Sequence, residues 1–253
     1  MASWLVKSLP LWARAALRKA KYHTMGRMSP SAYWNFAASI SATAAICTDC
    51  TNEGRFFELG RREAALIRRL GLLGPEVRAL DIGCGIGRVE RAIFAEVDSI
   101  IGIDVSSRMV KLARRKVTAR NVRFEVGDGC ALPGIPSNWL DLCFSFFVFQ
   151  HVPRPVAKGY FGEVARVLKE GGHFLFQLPT AADRGEPPPN HPFGMRYYTM
   201  DAVVELLQGT GLVLQDRFDL EGRSLAAKEA AVPLDQYFLA IRHDLQSGSA
   251  VVL

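Results

Sequence analysis

The chain has 253 residues, 49% hydrophobic and 22% charged, which is enough apolar material for one sizeable core and one or two domains. It lacks low-complexity tracts and any apolar run near the ~18–20 residues that cross a bilayer, so disordered, collagen-like, coiled-coil and membrane-spanning classes are poor fits. The formal net charge of +6 resides in residues 1–30, where Lys7, Arg14, Arg18, Lys19, Lys21 and Arg27 meet no acid; the rest balances, which argues against a nucleic-acid-binding body. Residues 1–30 therefore read as a basic arm. Over residues 1–21 it sets Trp4, Leu5, Leu9, Leu11 and Trp12 among cations, as a segment lying on an anionic membrane would. Pro10 breaks any single long helix there. Packing on the body and an organelle-targeting leader stay open beside membrane contact.

Two helices are predicted next, over residues 31–48 and 56–70, the second with Arg61, Arg62, Arg68 and Arg69 on its wet face; residues 31–76 make a helical cap. From residue 77 to 242, short β-branched or aromatic runs alternate with helical patterns, the signal of parallel strands joined by crossover helices. Strands are predicted at residues 77–82, 99–104, 122–126, 140–146 and 172–178, with helices at 88–95, 107–118 and 157–168. Ser106 or Ser107 can cap the second of these helices. After a Pro-rich loop at 185–192, Thr199 caps a helix at 199–209, and strands follow at 212–218 and 236–241. Residues 243–253 form a tail with no assignment. The five cysteines, Cys47, Cys50, Cys84, Cys130 and Cys143, are odd in number and scattered, which fits a reducing, cytoplasmic setting. The Cys47/Cys50 pair has neither a second pair nor a nearby His, and no metal site is expected.

The sharpest motif is Ala79-Leu80-Asp81-Ile82-Gly83-Cys84-Gly85-Ile86-Gly87-Arg88, a buried strand running into a glycine-rich turn and then a helix. Gly83, Gly85 and Gly87 leave the loop bare, so a ligand can press against its backbone. A dinucleotide pattern would place its third glycine at position 88, which is Arg, and Asp81 puts a negative charge where pyrophosphate would lie. A cationic, phosphate-free nucleoside suits the loop better. Asp104 ends the next predicted strand, where a carboxylate can accept both ribose hydroxyl protons, and Asp128 follows the third. Three successive strands thus deliver an acid to one edge of the sheet, the edge at which open α/β sheets bind ligands.

Leu80-Asp81-Ile82-Gly83-Cys84-Gly85-Ile86-Gly87, Gly102-Ile103-Asp104 and Gly127-Asp128 resemble the signature series of class I S-adenosylmethionine-dependent methyltransferases. Leu140 to Ser145, with Gln150-His151-Val152-Pro153, is similar to the fourth-strand motif of the small-molecule branch, and Leu168 to Phe174 to its turn into the fifth strand. The resemblance implies a Rossmann-like, mostly parallel seven-stranded sheet with the last strand antiparallel, plus N-terminal helices. It further implies that Asp81 and Gly83 hold the methionine end of S-adenosylmethionine, Asp104 the ribose and Asp128 the adenine, with Ser145 or Phe146 meeting the methionine amine by backbone carbonyl. Cys84, Gly85, Gly87, Val105, Met109 and Gly129 complete the implied cofactor contacts.

Methyl transfer from a sulfonium needs mainly alignment and exclusion of water. An oxygen acceptor must also lose a proton, and the candidates for taking it are His151 and His191, although His151 reads equally well as a loop or capping residue. Tyr33, Trp34, Phe147, Arg196 and Tyr197 are candidate acceptor contacts. Ser145-Phe146-Phe147-Val148 departs from the pattern of nucleic-acid base N-methyltransferases, so nucleic acid is not the expected partner. The expectation is O-methylation of a small or lipid-linked molecule. An RNA-modifying enzyme and a non-catalytic cofactor-binding subunit are the alternatives.

Overall fold

The computed structural model describes residues 28–46, 52–181, 194–225 and 234–243. The membrane-contact segment 1–21, the Cys47/Cys50 pair, the Pro-rich loop with His191 and the tail from residue 244 lie outside the described residues. In chain order the elements are α1 (Pro30–Ile46), α2 (Glu53–Arg69), β1 (Gly74–Ile82), α3 (Glu90–Ile93), β2 (Val97–Asp104), α4 (Ser107–Lys116), β3 (Val122–Val126), β4 (Leu140–Ser145), α5 (Arg154–Val167), β5 (Leu168–Pro179), α6 (Met200–Leu207), β6 (Leu212–Phe218) and β7 (Asp235–Arg242). The seven strands form one sheet in the order β3-β2-β1-β4-β5-β7-β6. The first five run parallel, and β7 is antiparallel to both β5 and β6. Among the described residues no helix is long and apolar enough to cross a membrane.

Side chains alternate across each central strand, so both faces of the sheet are covered. Leu80, Ile82, Ile101, Ile103, Cys143, Phe174 and Phe176 pack with Phe161 and Val164 of α5 on one face. On the other, Ala79, Ile100, Leu142, Phe144 and Leu175 meet Ala64, Leu66 and Ile67 of α2 and Ile93 of α3. α2 starts at Asn52, whose Oδ1 accepts the Arg55 amide at 2.9 Å, and ends on Arg68 and Arg69, favourably placed at the negative end of the helix dipole.

The helix expected at 88–95 is a single turn of α-helix and a 3-10 turn (Phe94–Glu96), because β2 already begins at Val97. The Asn121 side chain secures this truncated end by donating to the Phe94 and Val97 carbonyls at 2.7 and 3.1 Å. β5 starts at Leu168, before the expected 172, and the sheet absorbs the extra residues as a register shift opposite β4, with Gly171 at φ 74°.

Candidate active site

The site lies at the carboxyl ends of β1, β2 and β4. Gly83 and Cys84 both donate their amides to the Ile103 carbonyl, at 2.7 and 3.0 Å, so the glycine turn is stitched to β2. Gly83 has φ 82°, and a Cβ there would sit 2.1 Å from Val148 Cγ2. One on Gly85 would lie 2.5 Å from Ile46 Cδ1 of α1. Gly87 serves a different purpose: its Cβ would strike Val117 and Phe124, so its bareness permits close packing beneath the loop.

Asp104 closes β2 and borders the cavity. Its carboxylate accepts the Gly85 amide at 3.0 Å and the Ser106 amide at 2.8 Å. Burial raises its pKa to about 6, and these two amides oppose the rise. Asp128 accepts the Cys130 and Ala131 amides at 2.8 and 2.9 Å, which hold it below the ordinary carboxylate range. Its neighbours Gly129 and Cys130 line the cavity, whereas Asp128 itself does not.

Asp81 points away from the cavity into a buried charge cluster. Burial, then repulsion from Glu90, raise its pKa well above the usual value. Both Glu90 oxygens are buried without a hydrogen-bond partner, and burial raises its pKa to about 7. Beside them Arg88 forms a two-pronged ion pair with Glu63 of α2, at 2.7 and 2.8 Å, both side chains being at most 3% exposed. The sequence reading gave Arg88 no role; it ties the end of the glycine loop to α2. Its guanidinium also lies 5.6 Å from the Phe56 ring and 5.5 Å from that of Phe147.

A cavity of about 850 Å³ opens over the loop. Ile82, Gly83, Ile103, Asp104, Val105 and Met109 floor one side, while Phe146, Phe147, Val148, His151 and Tyr160 wall another. Met28, Ser29, Pro30, Trp34 and Ile46 bring both ends of α1 to its edge. α1 is bent at Ser41 (φ −162°, ψ 111°), which divides it into two helical pieces. Asn35 fastens it to the floor: its Oδ1 accepts from Ser106 Oγ (2.8 Å), Ser107 Oγ (3.3 Å) and the Arg108 amide (2.9 Å), at the start of α4. Ser106 in turn caps α4 by accepting the Met109 amide at 3.2 Å. Tyr33 is buried, with a pKa raised to about 12 by desolvation, and packs edge-on against Trp34, whose ring stands 5.3 Å from His151.

Where β4 ends, Ser145 is fully buried and donates to the Ile82 carbonyl at 2.8 Å, while Phe146 and Phe147 reach the cavity. Phe147 sits at φ 63°, a left-handed conformation costing ~1–3 kcal/mol. It is held there by its amide, which donates to Gln177 Oε1 at 2.9 Å; Gln177 Nε2 donates in turn to Asp235 Oδ1 at 2.7 Å. His151 lines the cavity, and its pKa falls to about 4 chiefly through desolvation, opposed by the Gly194 backbone and reinforced by the Arg196 charge. Its Nδ1 is shut off from solvent without a hydrogen-bond partner, while Nε2 lies 3.2 Å from Gln150 Nε2. Arg196 is buried behind this histidine and its amide donates to the Gln150 carbonyl at 2.7 Å; Tyr197 offers its carbonyl to Arg154 at 3.2 Å. Neither lines the cavity.

Asn35, Glu63, Glu90 and Gln177 escaped the sequence reading. Glu63 carried a signal, an acid on the apolar side of a clean amphipathic pattern; the others had none.

Residues 79–172 match a family model described as a methyltransferase domain. The sterol 24-C-methyltransferase erg6 of Aspergillus fumigatus is 27% identical over 169 residues, covering 63% of this chain and 43% of that protein. The phosphoethanolamine N-methyltransferase of Triticum aestivum is 29% identical over 160 residues, covering 58% of this chain and 30% of that one. The chain thus spans less than half the length of these curated relatives. In fold it is similar to an S-adenosylmethionine-dependent methyltransferase from Clostridium acetobutylicum, with a TM-score of 0.62, 15% identity, and coverage of 83% of this chain and 100% of that one. Residues 79–172 thus form a methyltransferase domain, and the glycine loop, the acid closing β2 and a β7 reversed between β5 and β6 give the chain the fold of the class I S-adenosylmethionine-dependent methyltransferases.

Proposed function

We propose that this chain transfers a methyl group from S-adenosylmethionine to oxygen on a small, apolar or lipid-linked acceptor. The observation that carries the reading is the 850 Å³ cavity, which joins the bare glycine loop and Asp104 to a wall of Trp34, Phe146, Phe147, Val152, Val156 and Tyr160. That volume lies at the upper end of the ~300–1,000 Å³ usual for ligand pockets, room for a donor and an acceptor side by side.

The residues present fit the donor. Asp104 is a carboxylate at the cavity edge that can accept ribose hydroxyls, and the glycine at 83 clears the backbone for the methionine end. The Phe146 carbonyl is suited to the methionine amine, while Asp128, beside Gly129 and Cys130, flanks the place left for adenine. Bound there, S-adenosylmethionine supplies an already activated methyl carbon. The chain's own work is then to hold the acceptor in line, keep water out and receive one proton. His151 lines the cavity and, with its pKa lowered to about 4, is neutral at neutral pH, which makes it the group to receive that proton. A weak base suffices, because the acceptor O–H becomes strongly acidic as its oxygen gains the methyl group.

Among the described residues no Lys or Arg lines the cavity, so a phosphate-bearing acceptor such as the one named for the wheat enzyme would lack an ionic partner there. A bulky apolar body of the kind named for the Aspergillus enzyme suits the lining better. The described cysteines, Cys84, Cys130 and Cys143, are free thiols, in keeping with action in a reducing, cytoplasmic setting. Labelled methyl donor offered to a lipid extract and to a water-soluble metabolite pool tests the acceptor class: label is expected in the organic phase, and label confined to the aqueous pool overturns it.

Asp104→Ala should weaken S-adenosylmethionine binding by about 1.5–3 kcal/mol, the range for hydrogen bonds to a charged group, in calorimetry on a variant with unchanged circular dichroism. Unaltered affinity would remove Asp104 from the ribose. The wild type offers an independent check through pH. A ribose hydroxyl needs the ionised carboxylate, and Asp104 takes up a proton below about 6, so affinity should be level above pH 7 and fall roughly tenfold by pH 5. In the ligand-free protein the raised pKa works the other way. The fold binds this proton more tightly than the unfolded chain, so Asp104 favours folding as pH drops from about 6 towards 3.8. His151, with its lowered pKa, disfavours folding as pH drops from 6.5 to about 4. The two oppose each other in melting experiments, which makes affinity the cleaner readout.

A further inference from the structure

We propose that the outward face of α1 docks on an anionic membrane surface, placing the mouth of the cavity against the lipid. α1 has 17 residues and not one charge among them. Its solvent face is Ala32, Phe36, Ser39, Ile40 and Ala44, with Phe36 44% and Ile40 72% exposed. An ordinary surface helix turns charges outward, so an uncharged stripe carrying two large apolar side chains is matched to something other than water.

The charge beside it says what that is. α4, which Asn35 fastens to α1, exposes Arg108, Lys111 and Arg115 and contains no acid. By composition, residues 1–30 also hold Lys7, Arg14, Arg18, Lys19, Lys21 and Arg27 and no acid. Apolar side chains flanked by cations are the composition that binds headgroups electrostatically and buries its apolar face at the acyl boundary. Because Met28, Ser29, Pro30, Trp34 and Ile46 border the cavity, a docked α1 would open the site towards the bilayer. The surface stands apart from the reaction proposed above, since it invokes no donor or acceptor chemistry.

The test is sedimentation of the full chain with phosphatidylglycerol–phosphatidylcholine vesicles against phosphatidylcholine alone. The wild type should pellet with the anionic vesicles and far less with the neutral ones. The double variant F36S/I40S should lose roughly tenfold in partitioning, I40S alone a smaller share, and both should keep wild-type affinity for S-adenosylmethionine. R108E/K111E should lower partitioning on anionic vesicles only. The proposal is overturned if the wild type ignores anionic vesicles, or if I40S and F36S/I40S pellet as it does. Unchanged pelleting together with faster tryptic cleavage within residues 1–27 of F36S/I40S would show that this segment of the chain covers the face instead. Retention on RNA that F36S/I40S leaves intact, with no vesicle binding in the wild type, would assign the cations to nucleic acid and equally sink the idea.

Discussion

α1 and α2 are each 17 residues long and both precede the sheet, yet their chemistry is opposite. α2 turns Arg55, Glu58, Arg61, Arg62, Arg68 and Arg69 to solvent and sinks Phe56, Phe57, Ala64, Leu66 and Ile67. α1 exposes no charge and buries only Tyr33 and Ala38. The first helix is bent and held by the Asn35 side chain and a small apolar cluster, Ala38, Ala42, Ala45 and Ile46 against Phe56, Phe57, Ile86 and Met109; the second is unbroken and held by larger core burial and an internal ion pair. Local stability follows buried apolar contact, so the element bordering the cavity is the one that can open most cheaply, while the element under the glycine loop is the anchor.

The sharpest way to break this contrast is Glu63→Ala. It strands the Arg88 guanidinium in a dry interior, where loss of one partner of a buried pair costs about 3–5 kcal/mol. Denaturant unfolding should show that loss in full, because a guanidinium keeps its proton even in a dry interior and cannot escape the penalty by neutralising. A loss under about 1 kcal/mol would mean the guanidinium swings out to water and α2 anchors the loop through apolar contact alone.

How far the two helices could be read from sequence follows the same division. The strands and crossover helices of the sheet were legible because their periodicity is set by two-sided burial, and β3 and β6 lie on the predicted residues 122–126 and 212–218. The glycine loop and Asp104 were legible because the backbone geometry needs those residue types at those places. α2 was legible as an amphipathic helix, but the partner of its buried Glu63 sits 25 residues away, and only the packed structure brings them together. Asp81 looked like a cavity acid from its position at a strand end; the β-strand alternation that puts Ile82 in the cavity wall turns its neighbour Asp81 towards α3 and Glu90. Asn35 in α1 gave no local sign, since the two serine hydroxyls and the one amide it accepts from lie at the start of a helix more than 70 residues on.

Asn35→Ala is the next prediction in size. It removes the acceptor shared by Ser106, Ser107 and the Arg108 amide, a loss comparable to deleting a helix cap, about 1 kcal/mol in global unfolding. The larger signature should be local: amide exchange in α1 should quicken while α2 is unmoved. Equal acceleration in both helices would show that they open as one unit and that α1 is no looser than α2.

Ile40→Ser should have the smallest effect on stability, within about 0.5 kcal/mol, because a side chain already 72% in water has little burial to lose. A measured loss above about 1 kcal/mol would require Ile40 to pack against another part of the chain in solution. The outward stripe of α1 would then be an internal contact, as in α2, and its lack of charge would need no lipid to explain it. Near-zero loss leaves a bulky apolar side chain kept in water at no benefit to the fold, the condition under which a binding role for this face gains its force.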